Sequence, residues 1–305
     1  MKELKGNWAT LLLATDETGN LDFSRLSDEI DVLISSCPDG IYSNGTACEF
    51  YSQTMDEFYR ISEMLADKCR TSGVCFQIGV SHPCAQESAQ RLKAVVHLSP
   101  SAVQVILPDW FPVNDSAAVS FLTGMAGIAG DIPLVLYNPP HAKRVLKPAE
   151  WQMLKKQVPS LIGVKVSDNN RSARWYEDMR ENNGGLAVFV PGHHLATGIR
   201  NGAAGACSNI ACLNPFAAQK WYDMMQSDME GALELEERII RFMTECIDPF
   251  IVKLKYPNHA CDRFMANVGG WANVGSRLRW PYSSIPEYYI PEVRKKGHDI
   301  IPEFI

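Results

Sequence analysis

Lysine is rare inside apolar runs, which makes Lys165 the first residue of chemical interest. It stands in Ile162-Gly163-Val164-Lys165-Val166-Ser167, where strand alternation sends Val164 and Val166 to one face and Gly163, Lys165 and Ser167 to the other. With the valines against a helix layer, Lys165 points into a barrel. Burial penalises the charged form of an amine and so favours the neutral nucleophile. A neutral amine can attack a ketone and form an imine, and the protonated imine draws electrons from the neighbouring carbon, so that a C–C bond can be made or broken there. The plainer reading is a strand-end lysine that reaches solvent or pairs with Asp168. Tyr137 weighs against it. This residue ends Leu134-Val135-Leu136-Tyr137, one strand earlier, and falls beside Lys165 on the same rim. A phenol there can pass protons to a carbinolamine or a leaving alkoxide, although a tyrosine can also simply anchor a rim loop. Asn138-Pro139-Pro140 restricts the chain that follows and fixes the phenol in place.

The elements that must position these groups recur along the chain. Short apolar runs at 9–14, 40–43, 74–80, 102–107, 133–137, 161–166, 187–191 and 205–209 are eight candidate strands. Stretches with helical spacing separate them, for example Leu26, Ile30, Leu33 and Ile34, then Phe58, Ile61, Met64 and Leu65. Eight such units match a (β/α)8 TIM barrel, whose active site lies at the carboxyl ends of the strands. An open doubly wound sheet would share the pattern, but no GxGxxG follows the first strand. The barrel is expected over 1–228, followed by a C-terminal helical region over 229–305. That region opens with a charged amphipathic helix over 228–246 and should pack on the barrel, since no low-complexity linker precedes it.

Composition bounds the partners. The chain has 305 residues, 46% hydrophobic, with 29 Lys and Arg against 35 Asp and Glu, a formal charge of −6. That balance disfavours nucleic acid and anionic membrane surfaces and suits a small molecule. No apolar run is long enough to span a bilayer, and residues 1–7 do not resemble a secretion signal. A cytoplasmic location is expected, with the nine cysteines, which form no CxxC pair, as reduced thiols. His82, His193, His194, Glu49 and Asp168 have no HxxxH or HxH spacing, so no metal is expected.

Several segments together resemble the dihydrodipicolinate synthase and N-acetylneuraminate lyase superfamily of pyruvate-dependent class I aldolases. They are Asp16-Glu17-Thr18-Gly19-Asn20, Gly45-Thr46-Ala47-Cys48-Glu49, Leu136-Tyr137-Asn138-Pro139-Pro140, Gly163-Val164-Lys165-Val166-Ser167, Asn201-Gly202-Ala203-Ala204-Gly205 and Arg279-Trp280-Pro281, covering nearly the whole chain. The resemblance implies a Schiff-base role for Lys165, proton transfer by Tyr137 and a Gly45-Thr46-Ala47 loop that faces the carboxylate of a 2-oxo acid, with Glu49 supporting that turn. It also implies a homotetramer or dimer and no cofactor beyond the covalent imine.

The departures are specific. Ala47 replaces a hydroxyl that the family uses for carboxylate binding and proton relay. Pro108-Asp109-Trp110-Phe111 stands where the synthase branch has Pro-Tyr-Tyr. Ala142 stands at the place of an arginine that grips a second carboxylate, with Lys143 and Arg144 adjacent as substitutes, and Leu13-Ala14-Thr15 replaces a Thr-Pro ending. These losses argue against lysine-pathway synthesis. His82, His193, His194 and Trp110 would give the rim imidazoles and an indole, suited to a polyhydroxylated or aromatic acceptor, or else serve as loop and capping residues. Cys207 on the eighth strand would line the barrel or pack inertly. The expected activity is a Schiff-base lyase acting on a pyruvate-like 2-oxo acid and an aldehyde. The alternatives are a dehydratase of a 3-deoxy-2-oxo sugar acid using the same lysine, and a non-catalytic ligand-binding or regulatory barrel.

Overall fold

The computed structural model describes residues 4–305. Eight parallel strands close on themselves in sequence order: β1 (Gly6–Thr10), β2 (Gly40–Ser43), β3 (Phe76–Gly79), β4 (Ala102–Val105), β5 (Leu134–Asn138), β6 (Leu161–Val166), β7 (Ala187–Pro191) and β8 (Gly205–Ser208). Around them run α1 (Phe23–Ser35), α2 (Met55–Ser72), α3 (Ala85–Val95), α4 (Asp115–Ala129), α5 (Pro148–Gln157), α6 (Ala173–Asn182), α7 (Leu195–Arg200), α8 (Ile210–Leu213) and α9 (Pro215–Ser227). The chain is therefore a TIM barrel, and no helix among the described residues is long and apolar enough to cross a membrane. The nine cysteines are unpaired.

Period-two alternation divides the core in two. Ile41, Val103, Leu136, Val164 and Val190 face outward into the large core shared with the helices. Leu4, Trp8, Tyr42, Ala102, Val135, Phe189 and Cys207 fill the barrel interior. Gly40 belongs to that interior layer because a Cβ there would lie 2.5 Å from the Trp8 ring. Lys165 shares the inward parity, and its Cα pairs in register with Tyr137 on β5 and Phe189 on β7.

Strand β1 departs from the sequence expectation of 9–14. It ends at Thr10, and Leu11, Leu12, Leu13 and Ala14 leave the sheet although each is fully buried. Their backbone is satisfied elsewhere: Leu11 N–H donates to Tyr42 O, Leu12 N–H to Glu29 Oε1, and Leu13 O accepts from Arg263. The apolar run thus records coverage by neighbouring helices, which composition cannot separate from a buried strand.

The C-terminal region comprises α10 (Met229–Phe242), a π-helical turn (Met243–Ile247), α11 (Asp248–Val252), α12 (Asn258–Gly269) and α13 (Ile290–Ile300). The α-helix expected over 228–246 ends at Phe242. Pro249, which has no N–H to donate, stands just past the wide turn, and π turns of this kind are frequent at functional sites. Ala232, Leu235, Ile239 and Phe242 bury the apolar face of α10. Helix α12 packs against α8 and α13. The π turn, α11 and α12 wall the mouth at the carboxyl ends of the strands, while α10 packs on α7 and α9. Helix α12 is tied down by Arg263, whose guanidinium donates to Leu13 O and to Val274 O (2.8 Å) and pairs with Glu49 (2.8 Å).

Candidate active site

The barrel mouth opens into a cleft of about 810 Å³, within the range of small-molecule sites, walled on one side by strand ends and on the other by the C-terminal helices. A groove of about 860 Å³ between the β5 loop and α6 holds neither Lys165 nor Tyr137. Lys165 rises from the floor of the cleft, half-buried. Its Nζ lies 4.5 Å from the Tyr137 ring centroid and 5.1 Å from that of Tyr42, resting the amine against two phenol faces. Asp168 is not its partner. That carboxylate receives Tyr176 Oη at 2.9 Å and lies 3.0 Å from His194 Nδ1. Burial would push Asp168 up, but the His194 and Tyr176 bonds win and hold it below the usual carboxylate range. The reading of Lys165 as an Asp168 partner therefore fails, while the half-buried side chain faces the open cleft.

Tyr137 is held where the proline-rich loop begins. Asn138 Nδ2 donates to Arg144 O (2.9 Å) and its Oδ1 accepts from Leu146 N–H (2.6 Å), stapling the loop after β5. Arg144 itself is spent on Asp115, on Glu150 (2.6 Å) and on Val113 O (2.8 Å), while Lys143 Nζ donates to Trp110 O (2.5 Å). Neither lines the cleft that holds Lys165, although Arg144 lines an adjoining pocket that shares Thr46, Phe50, Tyr137 and His141 with it; among the described residues, Lys165 is the only Lys or Arg on the cleft wall.

The other sequence-derived residues divide. Thr46, Ala47, His193 and Cys207 line the cleft with Lys165 and Tyr137. Gly45 does not. A Cβ at this glycine would meet the Tyr42 ring at 2.4 Å, so its absent side chain lets the loop lie on that ring. In the loop Glu49 N–H donates to Thr46 O and Phe50 N–H to Gly45 O, whereas the N–H groups of Thr46 and Ala47 make no backbone bond. Glu49 sits behind the turn, fully buried, pairing with Arg263 and accepting Arg279 N–H at 2.9 Å. Trp110 lies outside: it is 78% exposed and packs edge-on to Phe111. Lys143 Nζ lies over the indole, 5.1 Å from its ring centroid, which holds the side chain on the outer loop. His82 Nδ1 accepts Cys84 N–H (3.0 Å) in the loop just ahead of α3 and does not line the cleft.

His193 adjoins His194, ring centroids 4.1 Å apart. Its backbone N–H donates to Asn209 Oδ1, and its ring Nδ1 lies against the same amide, 3.0 Å from Nδ2 and 3.2 Å from Oδ1. Burial, reinforced by His194, pushes His193 down to about 4, so it is neutral at pH 7. Burial pushes the Cys207 thiol up, against the pull of Lys165, leaving it protonated and poorly nucleophilic.

Sequence reasoning missed the opposite wall. Asp248, Asn258, His259, Asp262 and Tyr282 come from the helical region and Tyr51 from the β2 loop. Tyr51, His259 and Tyr282 form a mutually tilted trio with centroids 4.9–5.3 Å apart, and Tyr51 Oη and His259 Nε2 are buried without hydrogen-bond partners. The available signal was polar residues on an otherwise apolar helix face: Ala260, Cys261, Phe264, Met265 and Ala266 of α12 are all buried.

An amine and a phenol in register on adjacent strands, at the carboxyl rim of a barrel with a helical cap, are what a class I aldolase needs. The dihydrodipicolinate synthetase family model matches residues 3–296, and the chain belongs to that family, one of pyruvate-dependent class I aldolases. Similar proteins include the N-acetylneuraminate lyases of Mus musculus (24% identical over 88% of this chain and 84% of that one) and Citrobacter koseri (22%, 99% of each). Among solved structures, the Escherichia coli K12 prophage protein YagE, in complex with pyruvate, superimposes with a TM-score of 0.85 at 18% identity over 97% of this chain and 98% of that one. A catalytic lysine mutant of a Ruminococcus gnavus sialic acid aldolase gives 0.83 at 17%, covering all of both chains.

Proposed function

We propose that the protein is a Schiff-base lyase that breaks or makes a C–C bond at the carbon next to the carbonyl of a pyruvate-like 2-oxo acid, where that acid joins an aldehyde, with Lys165 as nucleophile. The observation that carries this reading is the position of Nζ: on the cleft floor, between two phenol faces and without an ion-pair partner among the described residues. The amine adds to the ketone carbon, and loss of water gives an iminium. In the cleavage direction the iminium accepts the electron pair of the breaking C–C bond and becomes an enamine, while Tyr137 takes the hydroxyl proton of the departing aldehyde. Protonation of the enamine carbon and hydrolysis release the 2-oxo acid and restore the amine. The unused N–H groups of Thr46 and Ala47, with the Thr46 hydroxyl, supply donors for the carboxylate.

The same cleft argues against synthesis in the lysine pathway. That acceptor carries a second carboxylate, and the wall facing Lys165 offers two aspartates and no arginine. Incubation with pyruvate and a panel of 2-oxo acids, followed by borohydride reduction and peptide mass spectrometry, tests the reading. A reduced adduct on Lys165, absent in Lys165→Ala, is expected. Folded protein that yields no adduct with any 2-oxo acid would instead support a ligand-binding barrel.

A further inference from the structure

The weak point of this site is its proton relay. Ala47 carries no hydroxyl, Trp110 turns away from the mouth, and the Cys207 thiol stays protonated. Imine formation nevertheless needs an acid, because hydroxide is a poor leaving group from a carbinolamine. Helix α12 supplies one. Asn258, Asp262 and Met265 lie at i, i+4 and i+7, a single helical face, and all three line the cleft opposite the strand ends. The Asp262 carboxyl forms no hydrogen bond or ion pair with the described residues, a freedom that among the carboxylates of the cleft it shares with Asp248, whereas the buried carboxylates behind the mouth are committed: Glu49 to Arg263 and Asp168 to His194.

We propose that Asp262 is a second catalytic acid, which protonates the hydroxyl leaving the carbinolamine on Lys165 and then stands as the counter-ion of the iminium. The inference rests on imine chemistry at Lys165. In the step, the carboxyl proton passes to the hydroxyl, the C–O bond breaks with its electrons going to water, and the nitrogen lone pair forms the C=N bond. The product is an iminium cation facing a carboxylate. Hydrolysis reverses each transfer.

The electrostatics of the wall agree. Burial pushes Asp262 up to about 7, with Lys165 pulling it down, so that both forms are populated at neutral pH. The titratable groups that line the cleft with it are Lys165 from β6, Tyr42 and Cys207 from β2 and β8, Tyr137 from β5 with His141 on its loop, His193 beyond β7, Cys212 of α8, Asp248 of α11, Tyr51 of the β2 loop, Tyr282 of the tail, and its own helix neighbours His259 and Cys261. Burial drives His193 down to about 4 and drives Cys212 and Tyr51 upward, away from neutrality. Asp248 is also raised by burial, but the neighbour that pulls it back is His194, not Lys165.

The test is the rate of borohydride-trappable imine formation with pyruvate, measured from pH 5 to 9 for the wild type, Asp262→Asn and Asp262→Glu. We expect a falling limb near pH 7 in the wild type, a loss of about 10²-fold or more with the limb abolished in the Asn variant, and partial recovery with Glu. Wild-type trapping with no change near pH 7, or an Asn variant that traps at the wild-type rate with the same profile, would overturn the proposal while leaving Lys165 chemistry intact. A wild type that never traps a 2-oxo acid overturns both. Melting temperatures show whether the Asn variant is folded, and the wild-type profile decides the matter if it is not.

Discussion

Replacing Arg263 by methionine probes how the helical region is held over the barrel. The side chain is almost fully buried, pairs with the equally buried Glu49, and donates to carbonyls of Leu13 and Val274 and to Thr15 Oγ1 (3.3 Å). Methionine fills similar volume but leaves the Glu49 carboxylate enclosed and unpaired. Breaking a buried pair in this way costs about 3–5 kcal/mol. An unfolding entropy of about 2.1 cal/mol/K per residue over 305 residues is about 0.64 kcal/mol/K, so about 4 kcal/mol lowers Tm by about 6 °C. Because burial already pushes Glu49 up and Arg263 is what restrains it, the deficit should shrink on acidification. The folded variant holds its Glu49 proton more tightly than the unfolded chain, so stability is retained at low pH and lost as pH rises through the raised folded value. Calorimetry of Arg263→Met, Glu49→Gln and the double variant at pH 5 and 8 checks this. The double variant should lose less than the sum of the singles by at least about 1 kcal/mol. Additive losses, or a pH-independent deficit, would refute the claim that the pair acts as one unit.

Two further outcomes follow from the site. Tyr137→Phe keeps the ring against which Lys165 rests and removes only the hydroxyl. Turnover should therefore fall about 10²–10⁴-fold with Tm unchanged, as measured by steady-state kinetics and thermal unfolding; a similar drop in Tm would make Tyr137 a rim anchor instead. His259, 4% exposed, is pushed down from 6.5 to about 4 by burial and then by Arg263. The unfolded chain binds its proton more readily, so its stabilising contribution is full above pH 6.5 and lost as pH falls toward 4. The loss is worth about 3 kcal/mol, and the wild-type Tm should drop more steeply over that window than that of His259→Gln.

The floor of the site was legible because strands write their geometry in a period of two. Once 161–166 is taken as a strand, the parity of Gly163, Lys165 and Ser167 follows, and the preceding strand end puts Tyr137 beside the lysine; the observed register pairs the two. The same parity, applied to 40–43, would have placed Tyr42 under the amine. Trp110 and Gly45 misled for different reasons. A rim position says nothing about whether a loop side chain turns inward, and a glycine in a binding loop can serve the packing beneath it as well as the ligand above it.

The far wall was illegible for a reason that lies in the architecture. Asp262 and Lys165 are brought together by a helix that starts almost a hundred residues after the strand, and no local periodicity encodes where a C-terminal helix crosses a barrel mouth. The clue lies in the energetics of α12. Buried His259 and Arg263 and half-buried Asp262 stand among buried Ala260, Cys261, Phe264 and Met265, and enclosing polar groups on one short helix is costly unless each has a use. Arg263 repays the cost by clamping Glu49 and the β1 extension. Among the described residues His259 Nε2 has no hydrogen-bond partner and the Asp262 carboxyl forms no hydrogen bond or ion pair. Polar side chains left unsatisfied on a capping helix, facing an amine left unpaired on the floor, place the missing partner between them, in the cleft where a substrate would lie.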